Sequence, residues 1–143
     1  MDTTAASQEL HLTMSNEDYL ECLVRIEEEG GATDGMRSVD VASRLGVSKA
    51  SVNKAITALK AQGLVEQSHY GRITLTDQGR EIGDAVWRRH RLLRAFLTEE
   101  LGVDFDRADA EACKMEHALS EDTMERWLSY LQRQGIAFEG DRS

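Results

Sequence analysis

Residues 38–63 read SVDVASRLGVSKASVNKAITALKAQG, and their spacing decides the fold. Ser38 opens a short helix as its cap, Val39, Ala42 and Leu45 supply the apolar positions, and Gly46 stops it. A second helix starts at once. Ser48 caps it, Val52, Ile56 and Leu59 mark its buried face, and Gly63 closes it. After Gly63 the period switches from helical to alternating: Leu64-Val65-Glu66-Gln67, a turn through Ser68-His69-Tyr70-Gly71, then Arg72-Ile73-Thr74-Leu75 predict a hairpin. Two short helices around a glycine turn, followed by a hairpin, outline a winged helix-turn-helix, whose second helix enters the major groove of DNA.

Outward from this stretch the chain is helical. Tyr19, Leu20, Leu23, Val24 and Ile26 predict an amphipathic helix over 16–29, capped by Ser15 and ended by Gly30 and Gly31. The segment from Gly30 to Arg37 is expected to be a loop. Thr76 or Asp77 caps a long helix to about Leu101, with Ile82, Val86, Leu93, Phe96 and Leu97 apolar, and Gly102 ends it. A fifth helix spans Asp106 to Leu119. Ser120 caps a sixth from Glu121 to Gln134, with Met124, Trp127, Leu128 and Leu131 as its stripe. The tail after Gly135 is expected to fray, and His11 falls in a floppy segment. The fold class is therefore mainly α: a winged helix-turn-helix DNA-binding domain over 1–76, then a helical domain over 77–143.

The chain has 143 residues, 41% hydrophobic and 30% charged, with no proline. That is enough for one compact domain or two small modules. No apolar run approaches the roughly 18 residues of a membrane span, and the N-terminal stretch lacks the basic start and apolar core of a signal peptide, so a cytoplasmic protein is expected. Cys22 and Cys113 read as free thiols or ligands rather than a staple. The net charge is −9 but unevenly spread. Residues 1–36 carry −8, residues 81–143 carry −5, and residues 37–80 carry +4. The cationic middle is where a polyanion would bind.

Within it, Ser48, Lys49, Ala50, Ser51, Asn53 and Lys54 crowd the first two turns of the second helix. Hydroxyls and helix N-terminal amides suit phosphates, while Asn53 and Lys54 reach base edges. Arg72, near the hairpin tip, and Arg37, ahead of the first helix, add positive charge. The bland alternative makes Ser48 a cap and the lysines a solvated face. Agreement among helices, hairpin and local charge favours double-stranded DNA as partner.

On the fifth helix Cys113, Glu116 and His117 stand at i, i+3 and i+4, so thiolate, carboxylate and imidazole share one face within a turn. Asp18 and Glu21 are three apart on the first helix. His90 sits in the basic run Arg88-Arg89-His90-Arg91 of the fourth. If these helices pack together they enclose mixed oxygen, nitrogen and sulfur donors. Each piece also has a plain structural reading: a small buried thiol beside surface charges, first-turn acids favoured by the helix dipole, a histidine paired with a neighbouring acid.

Several motifs, in order over residues 15 to about 134, resemble the diphtheria toxin repressor family of metal-dependent regulators. They are Asp18-Tyr19-Leu20-Glu21, Val41-Ala42-Ser43-Arg44-Leu45-Gly46-Val47-Ser48, Leu75-Thr76-Asp77-Gln78-Gly79, Arg89-His90-Arg91-Leu92-Leu93 and Cys113-Lys114-Met115-Glu116-His117-Ala118-Leu119-Ser120. The resemblance implies a homodimer, joined through the fifth and sixth helices, that binds Mn(II) or Fe(II) as corepressor and docks on a palindromic operator of metal-uptake genes. The chain stops where the iron branch continues into an SH3-like domain, a length like the manganese transport regulator branch. Asp18, Glu21, His90, Glu116 and His117 match that branch, whereas Cys113 resembles the iron branch. Cys113 stands where the manganese branch has a glutamate that can bridge two ions, and Arg94 and Asp109 stand where the iron branch's second site has glutamate and histidine, so the resemblance leaves open whether one ion or two bind. The balance falls to Mn(II), with Fe(II) next.

The implied mechanism is a metal clamp. Asp18 and Glu21 belong to the DNA-binding half and Cys113, Glu116 and His117 to the dimer-forming half, so an ion holds two recognition helices about one DNA turn, roughly 34 Å, apart. One rival is a winged-helix regulator sensing oxidation through Cys113. Another is a metal-dependent hydrolase with an open coordination position, which no nucleophile constellation or phosphate-cradling glycine loop supports. No enzymatic activity, membrane partner or small-molecule substrate is expected.

Overall fold

The structure, a computed structural model, describes residues 14–30 and 34–136. His11 and the tail beyond Ile136 lie outside the described residues. The element order is α1 (Met14–Glu28), α2 (Ser38–Leu45), α3 (Lys49–Ala61), β1 (Val65–Gln67), β2 (Ile73–Leu75), α4 (Asp77–Ala95), a π-helical turn (Phe96–Glu100), α5 (Phe105–Ala118) and α6 (Glu121–Arg133). Contacts divide the chain into two compact units, Met1–Asp84 and Ala85–Ser143. No described helix is long and apolar enough to cross a membrane.

The first unit is a three-helix core with a two-stranded wing. Leu20 and Leu23 of α1, Val41 of α2, Val52, Ile56 and Leu59 of α3 and Ile73 of β2 are fully buried. Gly46 turns between α2 and α3 at φ 68°, a left-handed conformation that glycine adopts without a Cβ clash. The Ser48 hydroxyl accepts from the Ser51 N–H at 3.0 Å, capping α3 as expected. β1 and β2 pair antiparallel, Val65 opposite Leu75 and Gln67 opposite Ile73.

Three local expectations are corrected here. Met36 exchanges backbone hydrogen bonds with Ile73, N–H to carbonyl at 2.7 and 2.9 Å, so part of the presumed loop is a bridge on the outer edge of β2. Gly35 makes this approach possible: at φ +94° it leaves only 2.9 Å between a notional Cβ and Cβ of Arg72. The extended backbone runs on through Arg37, which takes the N-cap position of α2. Ser38 is therefore the first helical residue rather than the cap, and its hydroxyl donates to Asn53 Oδ1 at 3.3 Å. Likewise α1 begins at Met14, which places Ser15 inside its first turn.

Thr76 rather than Asp77 caps α4. Its hydroxyl accepts from the Gly79 N–H at 3.0 Å and donates to the Gly63 carbonyl at 2.8 Å. A Cβ at Gly79 would stand 1.9 Å from the Leu64 carbonyl oxygen, and one at Gly83 would stand 2.5 Å from Cγ2 of Val24. The first two turns of α4 thus lie directly on the wing and α1. This close approach carries the first unit past residue 77 to Asp84.

In the second unit, Leu93, Leu97, Ala108, Ala112 and Met124 form a buried cluster with Phe96, Met115 and Trp127 packed against it. α4 ends at Ala95, and the chain reaches Leu101 through the π-helical turn instead of a continued α-helix. Phe96, in that turn, meets Trp127 edge-to-face at 5.5 Å. Asp104 caps α5, accepting from Arg107 N–H at 3.1 Å, so α5 starts one residue early. Ser120 caps α6 as expected.

Candidate metal centre and nucleic-acid interface

The period of α3 sorts its residues. Val52, Ala55, Ile56 and Leu59 turn inward, leaving Lys49, Ala50, Ser51, Asn53 and Lys54 on the exposed face with the capping Ser48 at its head. A groove of about 640 Å³ lies between the starts of α2 and α3 and the wing, lined among others by Arg37, Lys49, Asn53, Gln67, Tyr70 and Arg72. The wing tip is tightened by Ser68, whose N–H donates to the Arg72 carbonyl at 2.8 Å and whose hydroxyl accepts from the Arg72 N–H at 3.0 Å. Tyr70 stands at that tip, 89% exposed and in the groove lining, a residue that sequence reading did not single out. An aromatic side chain in a polar turn was the available signal.

The seven basic residues of 37–80 are not equivalent. Arg44 on α2 pairs with Glu29 through both carboxylate oxygens, and Arg80 on α4 pairs with Glu27 at 2.9 and 3.1 Å. The Arg44 hydrogen bond holds the Glu29 carboxyl below the ordinary range, although burial works weakly the other way. These two arginines answer acids at the C-terminal end of α1 and just past it. Arg37, Lys49 and Arg72 face the groove instead, so the cationic surface is the one that α3 presents.

The metal-ligand candidates fall in both units. In the first, Asp18 and Glu21 share a face of α1. Asp18 is half-buried, and the Glu21 carboxylate, 7% exposed, lies 3.6 Å from Arg25. Cys22 is buried, and burial pushes its thiol up to about 11 against the opposing pull of Arg44 and Arg25, which suits a core residue and not a ligand.

In the second unit α4 and α5 bring four candidates together. His90 Nδ1 and His117 Nε2 each stand 3.7 Å from the same oxygen, Oε1 of Glu116, with the three side chains only 1–2% exposed. The Cys113 sulfur lies within 4.8 Å of a His117 ring nitrogen. A separation of 3.7 Å exceeds a hydrogen bond. It is close to the roughly 3.0–3.4 Å between neighbouring donors that share an ion at about 2.1 Å. Glu116 also sits in the last turn of α5, where the helix dipole disfavours a carboxylate and a cation would offset it. Imidazole, carboxylate and thiolate donors so placed fit a divalent transition metal.

Sequence reading allowed a neighbouring acid as a partner but did not say which acid supports His90. Its Nε2 lies 2.7 Å from Oδ1 of Asp109, and the same oxygen accepts from Arg94 Nη1 at 2.8 Å. Burial tends to raise the Asp109 carboxyl, but the hydrogen bonds from His90 and Arg94 outweigh it and hold it below its usual range. The His90 ring stacks on Trp87 at 5.5 Å and 23°. A helical signal was present: Trp87 and Arg94 share the face of His90 on α4, and Asp109 precedes Cys113 by one turn on α5.

Comparison with known proteins agrees with both halves. Residues 11–73 match the sequence model of the iron-dependent repressor N-terminal DNA-binding domain, and residues 76–135 match that of the iron-dependent repressor metal-binding and dimerisation domain. A helix-turn-helix transcriptional regulator of Methanocaldococcus jannaschii is 32% identical over 122 residues, covering 85% of this chain and 96% of its own. The iron-dependent repressor IdeR of Mycobacterium tuberculosis is 32% identical over 84% of this chain and 51% of its own. Among solved structures, a manganese-dependent transcriptional repressor in complex with manganese superimposes with a TM-score of 0.70 at 36% identity, covering 85% of this chain and 53% of that one. The chain spans about half the length of these last two repressors.

Proposed function

Since the chain belongs to the iron-dependent repressor family of transcriptional regulators, we propose that it binds double-stranded operator DNA as a homodimer in the cytoplasm when Mn(II) or Fe(II) occupies its metal site. The observation that carries this reading is the pair of buried imidazoles, His90 and His117, set around one oxygen of Glu116. The proposed ligand set is completed by Cys113 from α5 and by Asp18 and Glu21 from α1. The carboxylates, imidazoles and thiolate of this set would hold the ion, which would supply the positive charge that offsets their buried negative charge. Ligand binding and DNA binding then strengthen each other reciprocally.

The residues proposed to read DNA are Arg37, Ser48, Lys49, Ala50, Ser51, Asn53, Lys54 and Arg72. Ser48, Ala50 and Ser51 let backbone amides at the head of α3 approach phosphates, Asn53 and Lys54 address base edges, and Arg37, Lys49 and Arg72 neutralise the backbone. Functionally, the DNA-reading part ends at Thr76 and the metal-binding, dimer-forming part starts at Asp77. The test is selection from a random duplex library with the full-length protein, in Mn(II) and in chelator. The reading expects a two-fold symmetric sequence enriched only with metal. Equal enrichment in chelator refutes it.

A further inference from the structure

The metal-ligand reading leaves Asp109 and Arg94 without a task, yet Asp109 lies against His90 and Arg94 holds the same carboxylate oxygen. A carboxylate oxygen 2.7 Å from an imidazole nitrogen requires a proton between them, since two lone pairs at that distance repel. Asp109 Oδ1 already accepts from the Arg94 guanidinium at 2.8 Å, which favours the ionised, accepting form. The proton therefore belongs on Nε2 of His90, and in the neutral ring Nδ1 is then the basic nitrogen. That is the nitrogen that faces Oε1 of Glu116.

Two further contacts hold the device still. Trp87 stacks under the His90 ring, and the Arg94 guanidinium lies 5.6 Å from the Trp87 ring centroid and 4.6 Å from that of Phe105. The ring is thus limited by a face contact and an edge contact at once. Asp109 is held by a residue on the same helix as His90, one turn away.

We propose that Asp109, anchored by Arg94, is a positioning residue that locks His90 in the Nε2–H tautomer and so presents Nδ1 as a ligand atom for the divalent cation. The proposal rests on the metal-ligand reading only for the purpose of that lock; the tautomer itself is a property of the metal-free chain. A histidine ligand oriented through its distal N–H commonly gains one to two orders of magnitude in metal affinity from the partner.

The test is nitrogen-detected imidazole NMR on the full chain without metal, at about pH 8.5, two units above an ordinary imidazole, with Mn(II) calorimetry on the same samples. Wild-type His90 is expected to show a protonated Nε2 and a pyridine-type Nδ1. Asp109→Ala is expected to give a mixture of tautomers and to weaken Mn(II) binding about 10- to 100-fold. Asp109→Asn, which keeps an accepting oxygen of the same shape, is expected to retain the tautomer and lose less affinity. An Nδ1–H or mixed wild-type ring overturns the proposal, as does an unchanged single tautomer in a folded Asp109→Ala protein. Because the NMR readout needs no ion, absence of Mn(II) binding would refute the metal-ligand reading while leaving the tautomer lock measurable on its own.

Discussion

The groove of the first unit and the donor cluster of the second hold charge in opposite ways. Around the groove, Lys49, Asn53, Lys54 and Arg72 are exposed and keep their hydration until a polyanion arrives. In the cluster, Glu116 and His117 are 1% exposed and His90 2%. Withdrawing a carboxylate from water costs several kcal/mol unless positive charge compensates it. An exposed cationic face therefore draws its ligand first by sign, and salt screens that attraction. A buried set identifies its ligand by geometry and donor type, and screening reaches it little.

That contrast can be broken most severely at Glu116. Glu116→Ala is expected to lower Mn(II) affinity more than about 100-fold, beyond the range of outer-shell partners, while α3 and the wing remain folded. Calorimetry and amide NMR check the two halves of that statement. Next is Gly79→Ala, whose Cβ would meet the Leu64 carbonyl oxygen at 1.9 Å. It should destabilise the chain by about 3 kcal/mol in denaturant titration, which tests whether the seat of α4 on the wing is as close as the backbone indicates. Lys49→Ala and Arg72→Ala should each flatten the salt dependence of DNA binding by about one unit of slope with metal affinity unchanged. If instead they change metal affinity, the two regions are not chemically separate.

Smaller effects sharpen the same division. Ser48→Ala removes the cap of α3 and should cost about 1 kcal/mol, read by thermal melting. Cys22 should add no pH dependence to stability near neutral pH. With its folded-state value raised to about 11 by burial, its stabilising contribution is complete below the ordinary thiol range near 8.5 and disappears as pH climbs toward about 11. Melting temperatures of wild type and Cys22→Ala should therefore converge across that window.

The helix-turn-helix was legible because its signals are local. Gly46, Ser48 and the inward period of Val52, Ile56 and Leu59 act within a few residues. The spacing of Cys113, Glu116 and His117 was legible for the same reason. What escaped depends on neighbours distant in sequence. Asp109 matters only because α5 brings it to His90, 19 residues away. Met36 bonds Ile73 only because Gly35 permits the approach, and Ser38 loses its expected cap role because that bridge extends the backbone into Arg37. Arg44 and Arg80 looked like part of a cationic surface until their pairing with Glu29 and Glu27 removed them from it. Local charge counts cannot anticipate such pairing.

The central claim is that occupancy of the donor set around Glu116 governs DNA binding. Its most direct test is the affinity of the protein for its selected duplex, titrated with Mn(II) and reversed with chelator, beside Glu116→Ala and His117→Ala proteins of verified fold. The account predicts tight binding only for wild type with metal and loss on chelation. Equal affinity with and without metal, or variants that bind as wild type does, would contradict it.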